Sequence, residues 1–238
     1  MRFYKTTLEA VDNTCRDLLV RGITIECNSY QDKKLTGEDR FVKELTNVDF
    51  CITKPTLQRR EALEYCFGKQ AKKIEKYCQQ EIKDRISGKP LNPGNSYKIR
   101  KDMWNQFLHG HKFSYTYAER MARQLPLVIN TLKKDNGTRQ AVLSIWNPDL
   151  DMVDNKLGGG QRIPCSLLYQ FTIRYGQLDC LYVMRSNSFF EHHVIDLYCA
   201  SGIMEYIAKQ CGVKVGALTF VAGSLHAFQW SLKNVKKF

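Results

Sequence analysis

The sequence predicts an α+β protein with helices packed on a sheet, and three features of its second half carry that reading. Residues 166–174 and 177–184 are strand-like runs flanking Tyr175-Gly176, a hairpin signal. Residues 197–211 set Leu197, Ala200, Met204, Ile207, Ala208 and Cys211 on one helical face, and Gly212 follows as a left-handed cap would. Residues 218–222 form a further short strand.

From the N-terminus, residues 7–19 read as a helix and 57–86 as one long amphipathic helix. The rest of the first half has no clear local preference. Residues 87–96 (SGKPLNPGNS) are loop by their Gly, Pro, Asn and Ser content. A helix is expected over 115–134, a strand over 141–146 (AVLSIW), and a loop over 149–163 with three consecutive glycines. No repeat or low-complexity segment marks a boundary. The 238 residues suffice for one substantial core and are read as a single domain, 1–238.

Bulk properties narrow the function. No apolar run approaches the roughly 18–20 residues that span a bilayer, and the N-terminus has no signal-peptide core, so a cytoplasmic protein with no membrane partner is expected. Nine scattered cysteines without a CxxC pair fit small buried hydrophobes in a reducing compartment. The net charge of +12 favours an anionic partner: nucleic acid, a membrane surface or a phosphorylated small molecule. The basic run at 69–76 (KQAKKIEK) reads as a solvated helix face. Residues 156–162 (KLGGGQR) lack the ending of a phosphate-binding P-loop, and His192-His193 has no ligand partner at helical spacing, so no metal is expected.

Several segments in one order resemble the thymidylate synthase superfamily, with phage deoxycytidylate (dCMP) hydroxymethylases as the nearest relatives. The resemblance is strongest over 124–230. It runs from LPLVINTLKKDNGTRQAVLSIWNP through Pro164-Cys165, YQFTIR (169–174) and MRSNS (184–188) to GSLHAF (223–228). In the N-terminal third its anchor is RREALEYCFG (59–68). It implies a thymidylate synthase-like fold, a large twisted mixed β-sheet flanked by helices, dimerising through that sheet. It also implies one-carbon chemistry at C5 of a pyrimidine nucleotide.

C5 of a pyrimidine is a poor nucleophile. A thiolate added at C6 makes it enamine-like, able to attack an activated methylene. On its residues alone Cys165 reads as a buried core cysteine; the resemblance makes it that thiolate, with a neighbouring guanidinium to favour its ionised form. Arg185 and Ser186 stand at the family's phosphate position. Arg139 matches an arginine that reaches the partner's phosphate across the dimer; the family usually has two there, and this sequence has Arg139-Gln140. The family's N-terminal arginine has no clean counterpart, Arg21 being the nearest guess. Asp196 falls, without gaps from Arg185, where thymidylate synthases carry the asparagine that reads uracil. An aspartate accepts from cytosine N4 and from a protonated N3, as in the hydroxymethylases. On its residues alone Asp196 is a first-turn acid of the following helix.

Glu61 matches the catalytic glutamate, at the start of ExLxYxxG; on its residues alone it is an exposed helix acid. Trp104 and Tyr117 are spaced like the active-site tryptophan and tyrosine, one residue short, and read equally as core aromatics. His226 matches the histidine that holds the sugar, but Phe228 stands where the family has a tyrosine, which leaves ribose or deoxyribose open. On the donor side Ser188 replaces the aspartate that contacts the pterin, Glu191-His192-His193 replaces a flexible glycine-containing stretch, and the family's longer C-terminal region has no counterpart after Phe238. The donor implied by the resemblance is 5,10-methylenetetrahydrofolate. The expectation is a homodimeric transferase: a cytidylate (dCMP or CMP) 5-hydroxymethyltransferase. Its rivals are a thymidylate synthase acting on dUMP, a C5-methylating cytidylate enzyme, and a lapsed nucleotide- or nucleic-acid-binding protein on the same scaffold. With a nucleotide as the anionic partner, nucleic acid is not expected.

Overall fold

A computed structural model of the chain describes residues 1–153 and 161–232. The glycine run Gly158–Gly160 lies outside the described residues. The strands are β1 (Arg2–Thr6), β2 (Ile23–Glu26), β3 (Ser29–Tyr30), β4 (Lys33–Lys34), β5 (Phe41–Lys54), β6 (Val142–Ser144), β7 (Ser166–Arg174), β8 (Gln177–Ser188) and β9 (Lys214–Phe228). The helices are α1 (Thr7–Arg21), α2 (Arg59–Phe67), α3 (Ala71–Ile86), α4 (Lys101–Trp104), α5 (Tyr117–Met121), α6 (Gln124–Lys134), α7 (Pro148–Asp151), α8 (Val194–Cys211) and α9 (Gln229–Leu232).

Among the described residues seven strands make one sheet in the order β1-β5-β9-β8-β7-β6, with β2 also paired to β5. The β1–β5 and β8–β9 pairs are parallel and the others antiparallel, so the sheet is mixed and the protein α+β, as expected. The hairpin is where the sequence put it: Arg174 pairs with Gln177, and Tyr175 and Gly176 both take positive φ (50° and 71°), as a two-residue hairpin turn requires.

Register fixes the two faces. The row Leu143, Tyr169, Tyr182, Phe220 and Phe50 is at most 2% exposed. Tyr169 stacks on Tyr182 with ring centres 4.2 Å apart. Leu18 of α1, Cys78 of α3, Leu132 of α6 and Ile203 of α8 join the same core. The opposite row, Leu168, Val183 and Val221, is half-buried and outside that core.

Three helices differ from expectation. The long helix over 57–86 is two, because Gly68 sits at φ 51° and ends α2 before α3 begins. The helix over 115–134 is also two. Pro126 has no N–H and is tolerated only in a first turn, so the helix restarts at Gln124. The helix read from 197 starts at Val194, which places Asp196 in its first turn, and Gly212 closes it at φ 70°. The strand read over 218–222 extends to 214–228, and β1 and β5 arise in the stretch without local preference.

Candidate active site

A cavity of about 520 Å³ opens where β8 and β9 finish and β5 and β7 begin. Its wall includes Cys165, Arg185, Ser186, Asp196, Tyr117, Trp104 and His226, drawn from segments far apart in sequence.

Cys165 stands immediately before β7, half-buried and unpaired, as are all nine cysteines in covalent terms. Its backbone carbonyl accepts from Arg185 N at 2.8 Å. The Arg185 side chain holds the same segment, with Nε donating to Pro164 O at 2.8 Å and Nη2 to Ile163 O at 3.3 Å. Three donors surround the sulfur: Arg185 Nη2 and Ser186 Oγ at 3.7 Å each, and Gln31 Nε2 at 4.0 Å. These are long contacts, yet all three point partial or full positive charge at Sγ, the arrangement a thiolate needs. Arg185 Nη1 also donates to Ser186 Oγ at 3.2 Å, so the two phosphate candidates face the cavity together.

Tyr117 is placed by a capping box. Thr116 accepts from Glu119 N, and the Glu119 side chain accepts from Thr116 N, which fixes the entry to α5. The Tyr117 hydroxyl accepts from Ser166 Oγ at 3.0 Å and from Ser166 N at 3.3 Å, one residue beyond Cys165. Burial holds its phenol protonated, and the Arg85 guanidinium lies over its ring at 4.5 Å.

Asp196 is 7% exposed in the first turn of α8, which follows a π-helical turn over Phe189–His193. Oδ2 accepts from Asn187 Nδ2 at 2.8 Å. Burial raises its pKa to about 7, opposed by Arg85 and by the Asn187 hydrogen bond. The sign for stability follows. The folded carboxyl holds a proton to near pH 7, whereas an unfolded one releases it near about 3.9. This group's contribution is therefore full below about pH 4 and lost as pH rises through 7. Asp196→Asn should remove a decline on the order of a few kcal/mol. Urea midpoints of both proteins at pH 4 and pH 8 measure it, and parallel pH dependences would contradict it.

His226 lies in β9, its imidazole lowered to about 4 by burial and by Arg185, with Nδ1 3.3 Å from Ser224 Oγ. Trp104 lines the opposite wall with Nε1 buried and unpartnered among the described residues. His192 lies on it at 5.5 Å and 33°. Burial lowers His192 to about 3. Arg139 is exposed, away from the cavity wall, and its backbone carbonyl accepts from Gln170 Nε2 at 3.0 Å. Arg21 is likewise exposed and pairs with Asp17.

Glu61 requires correction. It is exposed on α2 and lines no part of the cavity. Two glutamates line the wall: Glu44 of β5, which accepts from Ser224 Oγ, and Glu81 of α3, which accepts from Ser96 Oγ at 2.5 Å and from Arg85 Nε at 2.9 Å. Its neighbour Asp84 accepts from Ser96 N at 2.8 Å, which ties the loop 87–96 back onto α3. The signal was present in the sequence. Glu81 stands seven residues before Gly88, the spacing that had pointed to Glu61 and Gly68. Arg85, Asn187, Gln31 and Arg162 also line the cavity and were not anticipated.

No helix among the described residues is long and apolar enough to cross a membrane. The fold is similar to that of thermostable thymidylate synthase A from Bacillus subtilis, with a TM-score of 0.65 over 97% of this chain and 82% of that one, at 14% identity. In sequence the chain is 30% identical over 193 residues to a Methanocaldococcus jannaschii protein named "Putative thymidylate synthase", covering 81% of this chain and 78% of that protein. A Methanosarcina barkeri protein of the same name is 30% identical over 134 residues, 52% of this chain and 59% of its own. The thymidylate synthase family profile matches residues 14–238, and the chain belongs to that family.

Proposed function

We propose that the protein transfers a one-carbon unit to C5 of a cytidylate, dCMP or CMP, and releases the 5-hydroxymethyl product. The observation that carries this reading is one cavity holding a half-buried thiol ringed by donors and, in the same wall, the buried carboxyl of Asp196, whose paired donor and acceptor oxygens can match N3 and N4 of cytosine.

In this reading Arg185 and Ser186 hold the phosphate and His226 the sugar. Cys165 Sγ adds to C6, and the electron pair released makes C5 nucleophilic. C5 bonds to the methylene carbon; loss of the C5 hydrogen as a proton, with cleavage of that carbon's bond to the carrier nitrogen, leaves an exocyclic methylene on the pyrimidine. Tyr117, held at Ser166, is placed to assist that loss. Water adds to the exocyclic methylene of the pyrimidine, and the Sγ–C6 bond breaks to restore the ring and the thiolate. Glu81 orders water and protons around the base.

The expected donor, 5,10-methylenetetrahydrofolate, supplies a methylene carbon at the oxidation level of formaldehyde. Aromatic side chains line the cavity. Trp104 has Nε1 buried, His192 tilted on its ring at 5.5 Å and the Arg162 guanidinium over it at 4.9 Å, and Phe113 meets it edge-on at 6.1 Å. The polar edge differs from the family's: Ser188 Oγ donates to Glu191, which also accepts from Trp230 and Ser231. Trp104, Phe113 and His192 are the residues that would hold the ring.

Glu81→Gln should lower turnover by on the order of 10²-fold, whereas Glu61→Gln should leave it within about twofold. Steady-state kinetics of the two variants compare the two positions, and the reverse ranking would return the role to Glu61.

The half-buried row Leu168, Val183 and Val221 supports a homodimer closed through the outer sheet face, which would let the exposed Arg139 reach the partner's phosphate. Val183→Asp should yield monomers in sedimentation analysis; an unchanged mass would exclude that face.

The reading is tested by tritium release from C5-labelled dCMP, CMP, dUMP and UMP with the folate donor, followed by identification of the product. Hydroxymethylcytidylate is the expected product. Release from uridylates alone would make the protein a thymidylate synthase in activity.

A further inference from the structure

Two sequence features that the reaction leaves unused meet behind Asp196: Asn187 of the MRSNS motif and His193 of the altered stretch after Ser188. Asn187 is 2% exposed. Its Nδ2 donates to Asp196 Oδ2 at 2.8 Å and to Met184 Sδ at 3.3 Å. Its Oδ1 faces His193 Nδ1 at 2.7 Å. His193 is fully buried, stacked on Phe189 at 5.2 Å and edge-on to Phe220 at 5.0 Å. Its Nε2 has no partner among the described residues.

Chemistry fixes the hydrogens along this chain. With Asn187 Oδ1 facing it, His193 Nδ1 must carry the ring proton, and the orphaned Nε2 is a bare lone pair. The flipped amide would need the proton on Nε2, a buried N–H without an acceptor among the described residues, and would give up the Nδ2 contact to Met184 Sδ. Burial keeps the ring neutral by holding its pKa down to about 3, so the arrangement does not change near neutral pH.

The consequence concerns base choice. A neutral carboxylic acid is ambiguous. With its proton on one oxygen it pairs with cytosine, O–H to N3 and N4–H to the carbonyl oxygen. With the proton on the other it pairs equally well with uracil, O–H to O4 and N3–H to the carbonyl oxygen. Selectivity needs the proton confined to one oxygen. We propose that Asn187 and His193 are specificity-determining positioning residues, which keep Asp196 Oδ2 an acceptor and confine the carboxyl proton to Oδ1; with Oδ1 meeting N3 and Oδ2 the exocyclic group of the base, only cytosine is then matched. The inference rests on Asp196 as the base reader. The other groups facing Asp196 are Arg85 and Glu81 from α3, Tyr117 from α5, Tyr169 from β7 and Tyr182 from β8.

The test is calorimetric binding of dCMP, CMP, dUMP and UMP to the full chain, its Asn187→Leu and His193→Phe variants, and the same Asn187 change in an Asp196→Asn background. The intact protein should prefer cytidylates. Each single variant should cut that preference by about tenfold or more, with His193→Gln, which offers an N–H again, recovering part of it. In the Asp196→Asn background Asn187→Leu should change the preference by less than about twofold, because it acts through the carboxyl. An intact protein with no cytidylate preference would overturn the Asp196 reading and this inference with it. A preference that survives both single changes would overturn the inference alone. Should Asn187→Leu fail to fold, His193→Phe, which fills the same aromatic slot, decides by the same ratio.

Discussion

Cys165→Ser should reduce C5 tritium release from cytidylate by on the order of 10³-fold or more, while nucleotide binding stays within about threefold. A serine hydroxyl in the same place stays protonated, and among the described residues the groups in contact with Sγ are donors: Arg185, Ser186 and Gln31. Those donors suit a thiolate and would do nothing to take a proton from a hydroxyl. Binding should survive because, in the proposed reading, other residues hold the phosphate, sugar and base. Tritium release and equilibrium dialysis on the same preparation separate the two effects. Release that persists in the serine variant would mean that C5 is activated without the thiol, and the proposed chemistry would fall.

Asp196→Asn should invert the base preference, lowering the cytidylate-to-uridylate ratio of kcat/KM by about 10²- to 10³-fold. The asparagine amide offers an N–H where cytosine needs an acceptor, and in a buried wall that mismatch is not relieved by water. A second readout carries a sign. The bound pair of carboxyl and cytosine N3 holds one proton. Below pH 7 the carboxyl brings it, because burial has raised its pKa to about 7; above pH 7 it must come from solvent. Cytidylate affinity should therefore weaken about tenfold per pH unit above 7 and be flat below, and the Asn variant should lose that slope. A flat profile for the unaltered protein would mean that Asp196 does not share its proton with the base.

The elements legible in the sequence are those whose cause is local. The β7–β8 hairpin was readable because Tyr175-Gly176 dictates its own turn, and the end of α8 because Gly212 accepts the left-handed conformation there. β1 and β5 were not. Their partners are distant, Phe50 pairing with Arg2 on one side and Phe220 on the other, and Lys43, Glu44 and Asp49 blur the apolar alternation. Within the site, the resemblance led to Cys165, Arg185, Ser186, Asp196, His226, Trp104 and Tyr117, all of which share one cavity. It pointed to Glu61 through ExLxYxxG; Glu81 has the same spacing to a glycine without that leucine and tyrosine, and it is the position inside the cavity that favours it. α3 passes the cavity and α2 turns that face of its first turn to solvent.

By itself, the sequence determined the fold class and, through motif order, the family, because turn chemistry, helical periodicity and motif order are written along the chain; the resemblance singled out Cys165. Tertiary structure decided which glutamates line the cavity, and that Asn187 and His193 stand behind Asp196. Those choices depend on which faces of α3, α8 and β8 turn inward together. That is settled by packing the row Tyr169, Tyr182, Phe220 and Phe50 against the helices, a constraint between distant segments that no local stretch of sequence contains.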